Sequence, residues 1–314
     1  MKKVLFLMKI KEDHSDNFTP AMFNWYGVLE YLGYNVIYED YNNYDPDLFL
    51  ELVKKEKPDY IFHPTYDKLH SEFVRLREFS KVYCIHSDDD WRFDNFAKFY
   101  IPFTDGAIGY QNNKNAYLSQ GANKEYYNKA RWAFNPNMMY HNFNSGKKYG
   151  LTHLGGLHGN KKEKINELTK RGLKIDLIDH KFTSYSNYLQ SYHESIASIC
   201  LTNNSLGTAS QSKTRLIEIP YYCILASESW PDMHLWNMEP NKDFILIDDS
   251  QNYVDLINKC IKDQQFANAM YNSAKSILLN YNTVFHEWNK IMTNIDETYK
   301  EIDVNTLIKN FQLI

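Results

Sequence analysis

Short apolar runs alternate with amphipathic stretches along most of this chain, and that alternation restricts the fold more than any other feature. Residues 4–8 read as a strand. Residues 21–32 show helical spacing in Met22, Trp25, Leu29 and Leu32, with Gly33 as a stop. Strand-like runs at 35–38, 60–62, 81–85 and 106–109 then alternate with helical patterns over 46–55, 68–79 and 93–100. Strands joined through helices pair in parallel, so the pattern predicts a parallel sheet covered on both faces.

The rhythm pauses at 139–148, where Asn142, Asn144, Ser145, Gly146 and two lysines read as a linker. It then restarts. Strands are expected at 149–154, 174–178, 196–201, 223–226 and 244–247. Helices are expected at 161–171, 185–193 and from 213, and nearly everything after 251 looks helical. A length of 314 residues suits two domains of ~150 each. The expected fold is α/β: two doubly wound, Rossmann-like domains facing a central cleft, the first over 1–145 and the second over 146–283. Ligands of such sheets bind outside the carboxyl ends of the strands.

Composition removes several classes of function. Residues 1–145 carry 17 basic and 20 acidic side chains and residues 146–314 carry 18 and 19. Neither half has the basic excess of a protein that grips nucleic acid mainly by charge. No run approaches the ~20 apolar residues of a membrane span, and the apolar start is too short for a signal peptide, so a cytoplasmic location is the expectation (host cytoplasm, if the chain is phage-encoded). Lysine outnumbers arginine 29 to 6, which reads as an AT-rich genome. The cysteines, Cys84, Cys200, Cys223 and Cys260, are far apart and read as buried thiols.

Two segments of the second half carry chemistry. Leu151-Thr152-His153-Leu154-Gly155-Gly156-Leu157-His158-Gly159-Asn160-Lys161-Lys162 is a strand, a glycine turn and a helix start. Gly155 and Gly156 let backbone approach a ligand, and Lys162 in the first helical turn opposes the macrodipole unless an anion is present. An ordinary strand–helix turn would also use glycine there. The second segment is Ser210-Gln211-Ser212-Lys213-Thr214-Arg215-Leu216-Ile217-Glu218-Ile219-Pro220, followed by a short apolar strand. Lys213 and Arg215 suit a diphosphate. Glu218 shares a face with Arg215 and could accept ribose hydroxyls or simply form a surface ion pair.

The run Lys213-x-Arg215-x-x-Glu218 before a strand and Ser227-Glu228 resembles the donor-site signature of GT-B glycosyltransferases, closest to the spore-maturation-protein-like (CgeB-like) members. That resemblance implies a metal-independent hexosyltransferase. Its N-terminal domain would bind the acceptor and its C-terminal domain a nucleotide diphosphate sugar, UDP-glucose by family frequency. Glu218 would bind the ribose, Lys213 and Arg215 the diphosphate, and Gly155–Gly156 would be the first loop of the donor domain. Helices over 284–314 would cross back to the N-terminal domain. Two departures stand out: Ser210 replaces a Glu found eight residues before the ribose-binding Glu in many retaining members, and Tyr221-Tyr222-Cys223 replaces a glycine.

For such a transfer the first half offers acidic and imidazole groups after its strands. Asp88 and Asp89, in His86-Ser87-Asp88-Asp89-Asp90-Trp91, are candidate bases, as is His14 in the loop after the first strand. Asp90, Trp91 and His63 are candidates for holding the acceptor. Helix capping explains one of the three aspartates readily, three less so. No metal is expected to be needed. The acceptor stays open between a glycan, a protein, a small hydroxylated molecule and a hydroxylated base of phage DNA. A non-catalytic sugar-nucleotide or glycan-binding protein and a sugar-nucleotide epimerase are the alternatives on the same fold.

Overall fold

The computed structural model describes residues 1–8, 25–40, 44–64, 73–86, 104–109, 127–129, 131, 133–136, 146–179, 185–203, 210, 213–250 and 252–312. Within these the chain divides into two compact units. The first takes in the described residues up to Arg131 together with Val284–Leu307, and the second takes in those from 133 to Thr283 together with Ile308–Gln312.

The first unit holds strands β1 (Lys3–Met8), β2 (Asn35–Asp40), β3 (Tyr60–Pro64), β4 (Lys81–His86), β5 (Gly106–Gly109) and β6 (Tyr127–Lys129), all paired in parallel in the order β2-β1-β3-β4-β5-β6. Between them lie α1 (Val28–Tyr31), α2 (Pro46–Glu56) and α3 (Phe73–Leu76). Of the helix expected over 68–79, the described part is helical over Phe73–Leu76 and gives way to a turn before 79. Helix α2 shows why the local sequence folds as it does. Asp45 caps it by accepting from the backbone N–H groups of Asp47 and Leu48, at 2.9 and 3.1 Å, and Pro46 fills the position that needs no donor. Phe49, Leu50 and Val53 form its buried stripe against Leu5, Leu7 and Ile61.

The second unit holds β7 (Tyr149–Leu154), α4 (Lys161–Lys170), β8 (Asp176–Ile178), α5 (Tyr185–His193), β9 (Ser195–Cys200), α6 (Arg215–Tyr222), β10 (Ile224–Ser227), β11 (Ile245–Leu246), α7 (Asn252–Lys262) and α8 (Gln264–Tyr281). Its sheet is parallel in the order β11-β10-β9-β7-β8. Leu151, Ala197, Ile199 and Ile224 from the sheet pack with Ile165, Leu168, Ile257 and Met270 from its helices. In both sheets the strand order turns around between the first and third strands of the unit, the kind of position outside which ligands of open parallel sheets bind.

The stretch expected to be helical to the end breaks after α8, and α9 (Val284–Ile295) and α10 (Val304–Gln312) follow. Helix α9 is part of the first unit. Its Trp288 is fully buried and meets the rings of Phe6, Phe62 and Trp25 edge-on at 5.5, 5.0 and 6.4 Å. The Arg131 backbone N–H and guanidinium Nε both donate to Glu287, at 2.9 and 2.7 Å. Just beyond α9, Asp296 accepts from Lys2 Nζ at 2.5 Å and from the Tyr34 hydroxyl at 2.8 Å. All four cysteines are free and buried.

Candidate functional site

The turn after β7, Thr202 and Asn203 just beyond β9, and the start of α6 come together at the carboxyl end of the second sheet. Gly155 ends β7 with φ +93°, which a side chain would resist, and its N–H donates to the Ile178 carbonyl at 3.0 Å. A Cβ on Gly155 would lie 2.5 Å from an Arg215 guanidinium nitrogen, and one on Gly156 would lie 2.4 Å from His158 Nε2. The room these glycines leave is therefore taken by two side chains of the protein itself. Arg215 lies against bare backbone because residue 155 is glycine.

Lys161 opens α4 directly beside this turn. It is only 7% exposed, and among the described residues its ammonium makes neither a hydrogen bond nor an ion pair, while its backbone N–H donates to the His158 carbonyl at 3.3 Å. Burial, then Arg215, then Lys213 push its ammonium down from 10.5 to about 8. The carboxylate within electrostatic reach, Glu228 after β10, is already engaged: it pairs with Lys164 and accepts from the Thr202 backbone N–H at 3.1 Å. Asn160 stands at the N-cap of α4 but does not cap it, since its side-chain Oδ1 instead accepts from the Asn203 amide at 3.1 Å. Three cations thus gather at an uncapped helix start, which itself carries partial positive charge.

His153, one residue before the end of β7, is buried as well. Its Nδ1–H donates to the Ile199 carbonyl at 3.2 Å, which leaves Nε2 as the acceptor nitrogen, and that atom is buried with no partner among the described residues. Burial and Arg215 push its pKa down to about 4, so it is neutral. Glu218 lies in the first turn of α6 with no exposed surface and accepts from the Tyr188 hydroxyl at 3.1 Å. Tyr188 and Tyr192 share a further hydrogen bond at 2.7 Å. Tyr188 therefore stands between α5 and the acidic end of the Lys213–Glu218 segment. Ser210 lies 3.0 Å from the Thr202 hydroxyl and 3.1 Å from the Ser229 carbonyl, on the network that Glu228 joins.

The structure brings Gly155, Lys213, Arg215 and Glu218 to one end of one sheet, from positions far apart in the chain. Gly156 belongs to the same turn. Lys162 is exposed, and it is Lys161 that is buried beside the other cations. The signal for this was present: the buried stripe of α4 is Lys161, Ile165 and Leu168, so stepping four residues back from Ile165 reaches Lys161 and not Lys162. His153 and Tyr188 carried no local signal, because only the pairing of distant strands and helices places them here. In the first unit His63 ends fully buried, edge-on to the rings of Tyr44 and Phe49 at 5.6 and 6.4 Å. His14, Asp88, Asp89, Asp90 and Trp91 lie outside the described residues. Tyr221 and Tyr222, where the family pattern has glycine, are buried at the end of α6, and the Tyr221 carbonyl accepts from the Tyr271 hydroxyl at 2.9 Å.

Among the described residues no group of three or more His, Cys, Asp or Glu side chains could hold a metal ion, and no helix is long and apolar enough to cross a membrane. The fold is the two-domain α/β fold of GT-B glycosyltransferases, with a Rossmann-like sheet in each unit. Among solved structures it is similar to an alpha-glucosyltransferase in complex with UDP, at 11% identity and a TM-score of 0.66 over 94% of this chain and 99% of that one. It is also similar to the DNA-modifying enzyme beta-glucosyltransferase (12% identity, TM-score 0.59, 94% of this chain and 100% of that one). Sucrose-phosphate synthase of Thermosynechococcus elongatus matches at 11% identity and a TM-score of 0.58, over 95% of this chain and 98% of that one. No protein-family model matches the chain, and no curated protein matches it in sequence.

Proposed function

We propose that the protein is a glycosyltransferase that moves glucose from UDP-glucose to a hydroxyl acceptor. The observation that carries this reading is the gathering of Lys161, Lys213 and Arg215 at the switch point of the second sheet, with Lys161 buried and lacking a carboxylate of its own. Burying like charges together is unfavourable unless an anion joins them, and a diphosphate supplies two charges at the right scale. In this reading the three cations and the start of α4 hold the diphosphate and stabilise it as it leaves, without a metal. Glu218, fully buried, reaches a ribose only by exchanging its Tyr188 bond for the ribose hydroxyls. The first unit takes the acceptor, with Asp88, Asp89 and His14 as candidate bases and Asp90 and Trp91 beside it, whereas His63, buried against Tyr44 and Phe49, would reach an acceptor only if those rings moved. The Lys213-x-Arg215-x-x-Glu218 pattern further aligns the chain with the CgeB-like branch of the fold.

The similar structures include enzymes named for glucosylating DNA and for making sucrose phosphate, which supports glucosyl transfer more firmly than any one acceptor. With a net charge of −4, a DNA acceptor would have to be held by local contacts rather than by overall charge. A thermal-shift panel of UDP, GDP, ADP and CMP with their sugars tests the donor. A ligand at ~100 times its Kd adds ~2.7 kcal/mol of stability. The expected result is a rise with UDP and UDP-glucose that Arg215→Ala removes. Labelled UDP-glucose is then offered hydroxymethylated DNA, a glycan mixture, or no acceptor. Release of free UDP only with an acceptor supports transfer, sugar isomerisation without one indicates an epimerase, and no shift with any nucleotide refutes the donor site.

A further inference from the structure

We propose that diphosphate binding at this cluster is coupled to proton uptake by Lys161, which is buried at the start of α4 without an ion pair among the described residues. The inference rests on the donor-site reading and deepens it. Every described element around Lys161 leaves its charge uncompensated. Its own helix α4 begins there, so the macrodipole opposes an ammonium. Arg215 and Lys213, from α6 and the residues leading into it, are cations. From β7 comes His153, which is neutral and whose donor is spent on Ile199. From the end of β9 comes Cys200, a thiol that burial pushes up to about 11 and therefore uncharged. Glu228, after β10, is shared between Lys164 and the Thr202 amide.

These surroundings agree with the fall of the Lys161 pKa to about 8. A diphosphate reverses the balance, because two negative charges favour the ammonium over the amine. The proton balance is simple: the amine takes one proton from solvent as the anion binds, and no bond to the ligand forms or breaks. The sign follows. Below pH 8 the ammonium is already present and affinity is flat. Above pH 8 each binding event must first add a proton, so affinity falls by up to tenfold per pH unit.

Isothermal titration calorimetry of the full chain with UDP, from pH 7 to pH 9 in buffers of differing ionisation enthalpy, measures this directly. The expected wild-type result is ~0.1 proton taken up at pH 7, ~0.9 at pH 9, and a Kd about eightfold higher at pH 9 than at pH 7.5. Lys161→Met should bind UDP more weakly at pH 7 and lose the slope. Lys161→Arg, which stays charged, should keep binding and also lose the slope, so ionisation of the uracil ring cancels in the comparison. Binding with no proton uptake at pH 9, or an unchanged slope in either variant, overturns the inference and leaves the donor site standing. Absence of UDP binding by folded wild-type protein at pH 7 overturns the donor site itself. The wild-type proton count needs no variant, so a misfolded variant does not spare the proposal.

Discussion

Lys2 and Lys161 are the same residue type, each placed where a strand or helix of a sheet unit begins, and they meet opposite surroundings. Lys2 has Asp296 at 2.5 Å and Tyr60 at 3.1 Å, and these outweigh burial and raise its pKa to about 12. Lys161 is more deeply buried, has no such partner among the described residues, and sits beside two cations that help lower its pKa to about 8. The first arrangement is closed: its charges answer one another, and it fastens the segment after α9 to the first unit. The second is open: Lys161 has no ion pair of its own among the described residues. A closed ion pair explains itself through stability. An open one costs stability and calls for a ligand.

The comparison can be broken most forcefully at Arg215. Arg215→Ala should weaken UDP binding ~100-fold, as two charge-assisted hydrogen bonds at ~1.5 kcal/mol each would, with the far-ultraviolet circular dichroism unchanged. The closed pair should respond in stability instead. Asp296→Asn leaves Lys2 and Tyr34 without their carboxylate and should cost about 2 kcal/mol in urea unfolding at pH 7, discounted because Lys2 is one-third exposed, while UDP affinity stays the same. Burial pushes the Asp296 carboxyl up, but hydrogen bonds from Lys2, Thr298 and Tyr34 together hold it well below the usual range. Its folded pKa is thus the lower one, so its contribution is complete above about pH 4 and is lost as pH falls below that. Acid titration of wild type and Asp296→Asn should therefore converge at low pH.

Smaller effects sharpen the contrast. Gly155→Ala should cost ~1–2 kcal/mol for a left-handed backbone and displace Arg215, giving a several-fold weaker UDP Kd alongside a lower Tm. Lys161→Met should leave the ligand-free protein as stable or more so at pH 7. Because Lys161 has the lower pKa in the folded state, wild-type stability rises with pH between about 8 and 10.5, so this difference shrinks across that window. Urea midpoints of the two proteins at pH 7, 9 and 10.5 check it. Lys162→Ala, one residue along on the exposed side, should change stability by less than ~0.5 kcal/mol and leave UDP binding alone.

Much of this was legible in local spacing. The strand at Tyr149–Leu154 and the helix at Tyr185–His193 match their expected bounds, because strand alternation and helical periodicity are short-range signals. The glycine turn, Lys213, Arg215 and Glu218 were legible too, as residue types suited to an anion and a ribose. The expected helix over 68–79 ends earlier, at Leu76, and the strand β6 was missed because three residues at a sheet edge carry little pattern.

The sequence by itself thus determined most of the strands and helices, that the strands run in parallel, and that Lys161, Lys162, Lys213 and Arg215 stand near the starts of two helices in the second half. Tertiary structure alone decided which of those cations are buried and what answers them. Lys164 finds its carboxylate 64 residues away and Lys2 finds its own 294 residues away, while Lys161, turned inward by the phase of α4, sits beside Arg215 and Lys213 with the Glu228 carboxylate already held by Lys164. Backbone periodicity is local and so can be read along the chain. Electrostatic partnership depends on distance in space, which only the packed sheets and helices set.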